Sequence, residues 1–499
     1  MSRKAAGTQL RGGETMLAEL AELVQSRGVS AIEMVRRAYE RVGSLNGDLN
    51  AVVALRDEEE AVAEARGLDE RVRRGERLGP LAGAPFLVKD AQDLAGMRTT
   101  QGSLLLAEAR PATRDALSVA RLRAAGAIPI GKTNVPEYCF EGFTDNLLFG
   151  ATRNPWAPEW SPGGSSGGSA AALAAGMVPI ATAADGGGSI RIPASFCGLF
   201  GLKPTNGLVG RDPISPWIDF STDGPLALSM ADLRLLLAVQ SGPAYGDPTA
   251  LPAELVARLV GPDAAARVSG APPRRPSLVL AAPRFVDWGP LPNAVADQFA
   301  AALTSLEKDL GLPVEPIAPA QILGGGDEAG NAAEDWLLTC VCEQANTMGR
   351  EAIEAGAERF YPGFLAAMRA GLAVSIEDYV AARRRRFAYA RALDELLGAD
   401  RLLVTPTTPQ EGFYADGREI GAKRPGTAVS SYNTQVQNMT GHPALSAPAG
   451  RSPNGVPFGL QITGPRFADA LVLDIGNAWE RAHPGERVAP GFESFLTAG

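Results

Sequence analysis

Apolar positions between residues 14 and about 78 recur at helical spacing. Ser30 and Glu33 form a capping-box pair, and Ile32, Val35, Tyr39 and Val42 then fall on one helical face. Asp57 to Arg77, rich in Ala, Glu and Arg, reads as a solvated helix. The pattern changes at Gly79-Pro80. From there short apolar runs alternate with glycine-punctuated turns and Ala-rich helices, which predicts βαβ units around a parallel or mixed sheet. Strands are expected at Pro85–Val88, Ala127–Ile130, Val178–Thr182, Ser277–Ala281 and Leu402–Thr405. Pro443–Pro448 and Phe458–Thr463 flank Pro453-Asn454-Gly455, a hairpin signal. Residues 245–275 read as a linker rich in Pro, Ala and Arg, and 290–400 as mostly helical. The fold class is α/β.

The length, 499 residues, allows about three units by size but equally one long α/β domain over 1–499. A hydrophobic content of 45% excludes disorder as the main state. A net charge of −9 argues against nucleic acid as a partner. The N-terminus lacks an apolar leader, and the longest small-residue run, Ala170–Ala184, is broken by Gly176 and Pro179, so no membrane association is expected. Four scattered cysteines do not make a disulfide framework, and Cys340 and Cys342, with no histidine nearby, read as thiols rather than a metal site. A cytoplasmic protein without a metal site is expected. The two histidines, His442 and His483, each precede proline, so a hydrolytic base would not be histidine. The run Arg383–Arg386 spans a whole helical turn and reads as a solvated face paired with nearby acids.

The chemistry concentrates in two glycine-serine segments. Ser161-Pro-Gly-Gly-Ser-Ser-Gly-Gly-Ser169 runs into an Ala-rich helix but lacks the P-loop and dinucleotide signatures. Asp185-Gly-Gly-Gly-Ser189-Ile-Arg191 folds tightly enough to gather inward N–H groups beside a serine, as an oxyanion site requires. Ser165 and Ser189 lie 24 residues apart. Upstream, Gly83-Ala-Pro-Phe-Leu-Val-Lys89 ends an apolar run in a lysine whose burial would favour the neutral amine, a base for a serine hydroxyl.

These segments resemble the amidase signature family, whose hydrolases use a Ser-Ser-Lys triad. The carrying motifs are Gly83-x-Pro85-x-x-x-Lys89-Asp90, Gly131-Lys-Thr-Asn134-x-Pro136-Glu137 and Gly150-x-Thr-Arg-Asn154-Pro155. They continue with Gly163–Ser169, Asp185–Arg191, Gly201-Leu-Lys-Pro-Thr205, Asn438–Ala444 and Gly455–Gln461. The resemblance implies Ser189 as nucleophile, Ser165 as a bridging serine after a cis peptide bond, and Lys89 as base. It implies backbone N–H groups of Gly186, Gly187, Gly188 and Ser189 as the oxyanion hole, with Asp185 and Arg191 bracing the loop. It also implies a mixed, twisted sheet of about eleven strands covered by helices on both faces, no cofactor, and in many relatives a homodimer.

One departure stands out. Many members carry threonine where this chain has Ala184 and Gly186, and the loss is expected to leave more room beside the nucleophile. Phe143, Trp217, Ile218, Phe220 and Trp336 are candidates for a pocket holding a hydrophobic acyl or aryl group. The expected substrates are small amides, anilides, carbamates (urethanes) or esters. The alternative is the glutamine-hydrolysing component of a tRNA-dependent amidotransferase.

Overall fold

The structure is a computed structural model that describes residues 15–260, 274–286, 289–323, 332–418, 433–485 and 487–496. It opens with helices Met16–Gln25, Ala31–Leu49 and Glu58–Arg73, capped by Thr15, Ser30 and Asp57. The capping box forms as the sequence implies: Ser30 Oγ accepts from Glu33 N at 3.1 Å, and Glu33 accepts from Ser30 N at 2.8 Å. The buried stripe of that helix is Ala31, Met34, Val35, Ala38 and Val42, with Ile32 and Tyr39 at its margin.

Among the described residues, eleven strands lie in two sheets rather than one. A four-stranded sheet runs Val52–Leu55, Ile128–Thr133, Pro85–Lys89, Ile180–Ala181. A seven-stranded sheet runs Val314–Pro316, Val279–Ala281, Leu402–Pro406, Pro457–Thr463, Ala444–Arg451, Phe200–Lys203, Leu226–Ala227. The edges Ile180–Ala181 and Leu226–Ala227 approach without pairing. Both sheets mix parallel and antiparallel pairs or flank one with the other. The predicted hairpin is present, with Ala444↔Thr463 and Ala447↔Leu460 in register and Gly455 at φ +88° in the turn. Neighbouring Leu445 and Ser446 point to opposite faces. Leu445 meets the helix Asp469–Ala482, and Ser446 lies beside Ser195 of the helix Arg191–Phe196, so helices cover both faces.

One expectation is corrected. The linker of 245–275 contains an amphipathic helix, Ala253–Val260, that buries Val256; residues 261–273 lie outside the described part. The stretch 290–400 is mostly helical as expected, with one strand, Val314–Pro316, at the sheet edge; 324–331 lie outside the described part. A third, two-stranded ribbon pairs Ala184–Asp185 with Thr222–Asp223. Among the described residues no helix is long and apolar enough to cross a membrane.

Candidate active site

Lys89 closes the strand Pro85–Lys89, held between Ile128–Thr133 and Ile180–Ala181, with its amide bonded to Thr182 Oγ1 at 2.9 Å. Its side chain is 1% exposed. Nζ donates to Ser165 Oγ at 2.8 Å and to the Ala184 carbonyl at 3.2 Å. Burial drives the lysine pKa down from 10.5, against the opposing pull of Cys139, Asp185 and Asp223. The site therefore favours a neutral amine that can take a proton from the serine it touches.

Ser165 follows a cis peptide bond from Gly164 and precedes the helix Gly167–Ala174. Ser189 precedes the helix Arg191–Phe196, and its carbonyl accepts from Ser166 N at 3.3 Å. The two serines and Lys89 line one cavity of about 260 Å³. Among the described residues the Ser189 hydroxyl makes no hydrogen bond, so the geometry shows the lysine–serine contact but not a closed three-residue chain.

The Asp185–Arg191 turn is braced as expected, and more heavily. Arg191 is fully buried and grips Asp185 in a fork, with Nε and Nη2 each 2.9 Å from a carboxylate oxygen. Its remaining donors reach Gln437 at 3.1 Å, Gln461 at 2.9 Å and Asn438 at 2.6 Å. The guanidinium overcomes the burial penalty and holds Asp185 down at about 2. Asp185 in turn accepts from Gly188 N at 2.7 Å and Ile190 N at 3.2 Å. That corrects one expectation: the Gly188 N–H is consumed by Asp185 and cannot serve an oxyanion. The N–H groups of Gly186, Gly187 and Ser189 donate to nothing among the described residues. The Gly186 carbonyl is tied to Trp336 Nε1 at 2.9 Å and the Gly187 carbonyl to Thr434 Oγ1 at 2.6 Å.

The threonine lost at Gly186 does not leave room, and its neighbour Gly187 is equally crowded. A Cβ on Gly186 would stand 2.5 Å from Trp217, and one on Gly187 2.3 Å from Trp336. The two indoles meet edge to face, with centroids 5.7 Å apart, and fill the space that side chains on the loop would occupy.

Of the pocket candidates, Trp217 lines the main cavity, and Trp336 with Trp217 lines a smaller recess on the other side of Ser189. The other three are elsewhere. Phe143 is fully buried against Tyr361 and Phe413. Phe220 is fully buried beneath Arg383 and Arg386, whose guanidinium groups lie 5.5 and 5.0 Å from its ring centre. Ile218 is half exposed and outside the cavity. The arginines of this run pair with nearby acids as expected, though only Arg384 is exposed: Arg383 reaches Asp219 at 2.8 Å, Arg386 pairs with the same carboxylate, and Arg385 grips buried Asp335. Aromatic character alone could not separate a pocket wall from core.

The rest of the cavity wall is made of Tyr138, Cys139, Gln344 and the turn Asp212–Trp217, together with Gln92 and Asp223, the two that sequence reasoning missed. The Asp212–Pro213 bond is cis, and Arg211 anchors this turn through a forked pair to Asp247 at 3.1 and 3.2 Å. Tyr138 and Cys139 both take left-handed φ, 48° and 59°, directly after the Pro136-Glu137 motif. That motif was the available signal. The histidines stand apart: His442 is buried against Thr440 Oγ1 at 2.9 Å, and His483 stacks on Trp479.

Comparison with known proteins agrees with this geometry. The profile of the amidase family matches residues 33–473. An acylamidase of Rhodococcus erythropolis is 32% identical over 93% of this chain and 95% of its own. A glutamyl-tRNA(Gln) amidotransferase subunit of Geobacillus thermodenitrificans is 33% identical over 93% of this chain and 96% of its own. Among solved structures, a bacterial aryl acylamidase of the amidase signature family superposes with a TM-score of 0.83 at 28% identity, over 94% of this chain and 96% of that one. Matched along nearly its whole length in sequence and in fold, the chain belongs to the amidase signature family and is a hydrolase acting on amides.

Proposed function

We propose that the chain hydrolyses small amides through Lys89, Ser165 and Ser189 with an acyl-enzyme intermediate. The observation that carries this reading is the 2.8 Å contact between buried Lys89 Nζ and Ser165 Oγ, at the cavity into which Ser189 opens. Neutral Lys89 takes the Ser165 proton as Ser165 takes that of Ser189. Ser189 Oγ then bonds to the substrate carbonyl carbon, and the charge on its oxygen is met by the N–H groups of Gly186, Gly187 and Ser189. Each such donor typically contributes about 3 kcal/mol to the barrier reduction. The proton returns through Ser165 to the leaving nitrogen as the C–N bond breaks. Water, deprotonated by the same route, attacks the acyl carbon and releases Ser189.

The indole wall of Trp217 supports an aryl or apolar group next to the scissile bond, so anilides and aryl carbamates are the favoured substrates, with esters cleaved as well. The test is turnover of a nitroanilide, an aliphatic amide, an aryl carbamate and glutamine by the purified chain and by Ser189→Ala. Hydrolysis of the anilide or carbamate, abolished in the variant, is expected. Activity on glutamine alone, or only with an added partner, would instead support the amidotransferase reading. Lys89→Ala should depress amide turnover more than activated-ester turnover, because only the amide needs its leaving group protonated; equal losses would refute the proton-return step.

A further inference from the structure

The cavity wall facing Trp217 carries polar groups that the reaction leaves unused. Gln92 and Asp223 both line it. Gln92 Nε2 donates to Asp223 Oδ1 at 2.8 Å and to Ser118 Oγ at 3.2 Å. Gln92 Oε1 is then left without a partner, although the residue is only 6% exposed. Buried polar atoms in folded proteins are almost always paired, so an orphan acceptor at a cavity wall is a place for a ligand donor.

The pair is built into the same scaffold as the lysine. Gln92 N bonds the Lys89 carbonyl at 2.9 Å, and Lys132 Nζ holds the Gln92 carbonyl at 2.6 Å. Asp223 sits opposite Ala184 in the two-stranded ribbon, and the Ala184 carbonyl receives Lys89 Nζ. Neither group can drift relative to the reacting atoms. The cavity's cation, Arg211, offers a ligand little: its donors are spent on Asp247, Thr249 and the carbonyls of Ile218 and Ser221. With Lys89 the proposed neutral base, the unspent capacity of this wall is hydrogen-bond acceptance at Gln92 Oε1 beside the Asp223 carboxyl group.

We propose that Gln92 and Asp223 form a subsite for an amino group, so that the chain selects amides carrying an N–H donor beyond the scissile bond. The aryl or alkyl body of such a substrate lies along Trp217, and its amino group meets Gln92 Oε1 and the Asp223 carboxylate. This rests on the proposed hydrolysis at Ser189, and it deepens it by naming a substrate class.

The test separates the two. Binding is read by calorimetry on Ser189→Ala, with matched pairs that differ only in the amino group: pentanamide against 5-aminopentanamide, and acetanilide against 4-aminoacetanilide. At least one amino compound should bind about tenfold tighter than its partner, as for sites built around a hydrogen bond. Adding Gln92→Leu should reduce that ratio to about twofold or less, whereas Gln92→Glu, which keeps an acceptor, should preserve it. Ratios cancel any general loss of affinity. Equal binding within both pairs, or a preference that survives Gln92→Leu, overturns the subsite. Turnover of the same compounds by the parent chain reads the hydrolysis separately: preferential binding without Ser189-dependent turnover would overturn the reaction and leave the subsite standing. Turnover without amino preference would do the reverse.

Discussion

Gly187→Ala isolates what the indole pair does to the serine loop. Gly187 does not adopt a left-handed φ, so alanine is sterically allowed by its own backbone and the whole effect comes from its neighbour. The new Cβ would lie 2.3 Å from Trp336 Cζ2, with Cε2 and Cη2 at 2.9 and 3.0 Å. Ordinary carbon contacts start near ~3.5 Å, so ring or loop must retreat by about 1 Å. Trp336 cannot retreat freely, because Nε1 is bonded to the Gly186 carbonyl at 2.9 Å; a shift of that size carries it beyond hydrogen-bonding range. Overpacking costs about 1–3 kcal/mol and the broken buried hydrogen bond about 1–3 more, giving roughly 2–6 kcal/mol of stability.

The catalytic cost should be larger in proportion. The displaced segment carries the free N–H groups of Gly186, Gly187 and Ser189, and misdirecting one donor lowers kcat by about 10²–10³. Steady-state kinetics on the anilide, with a urea midpoint for each variant, measures both. Trp336→Phe removes the clashing edge of the indole. In the Gly187→Ala background it should restore kcat/KM at least about tenfold, a coupling of about 1.4 kcal/mol. Independent, multiplying losses for the two substitutions would refute the argument that the indole dictates glycine at this position.

Three further outcomes follow from charges in the buried site. Because burial lowers the Lys89 pKa and the neutral form is the proposed base, kcat/KM should rise with pH along an acid limb whose midpoint lies below 10.5; a rate that falls over this limb would contradict the proposal. Arg191→Lys keeps the charge but cannot reproduce the fork and three amide contacts, so the urea midpoint should report a loss of about 3–5 kcal/mol; a loss under about 1 kcal/mol would show that the network is dispensable. Burial raises Glu343 from 4.5 to about 7, despite its bonds to Tyr379 and Arg383. The folded chain therefore binds a proton more tightly than the unfolded one, and this carboxyl costs stability progressively as pH rises from about 4.5 to 7. Glu343→Gln should gain about 3 kcal/mol on the parent across that interval, and a pH-independent difference would exclude the mechanism.

Much of this molecule follows from its sequence alone. The capping pair Ser30 and Glu33, the apolar run closing at Lys89, the Pro453–Gly455 hairpin and the two glycine-serine turns are local patterns. Their physics acts over a few residues, so neighbours in the chain suffice to define them. The short strands Ala184–Asp185 and Thr222–Asp223 were not legible, because two residues carry no periodicity and exist only through their partner. The same limit governs the site. Phe143, Phe220 and Trp217 are equivalent as aromatic residues, yet tertiary packing sends the first to a core, places the second under two arginines and puts the third on the cavity wall. Glycine at 186 and 187 has its reason in two indoles from distant segments, and the Gly188 N–H is withdrawn by a carboxylate that only the folded turn aims at it. Sequence determined which groups could react. Through contacts between residues far apart in the chain, the tertiary structure decided which of them are dry, which are already bonded, and which remain free to meet a substrate.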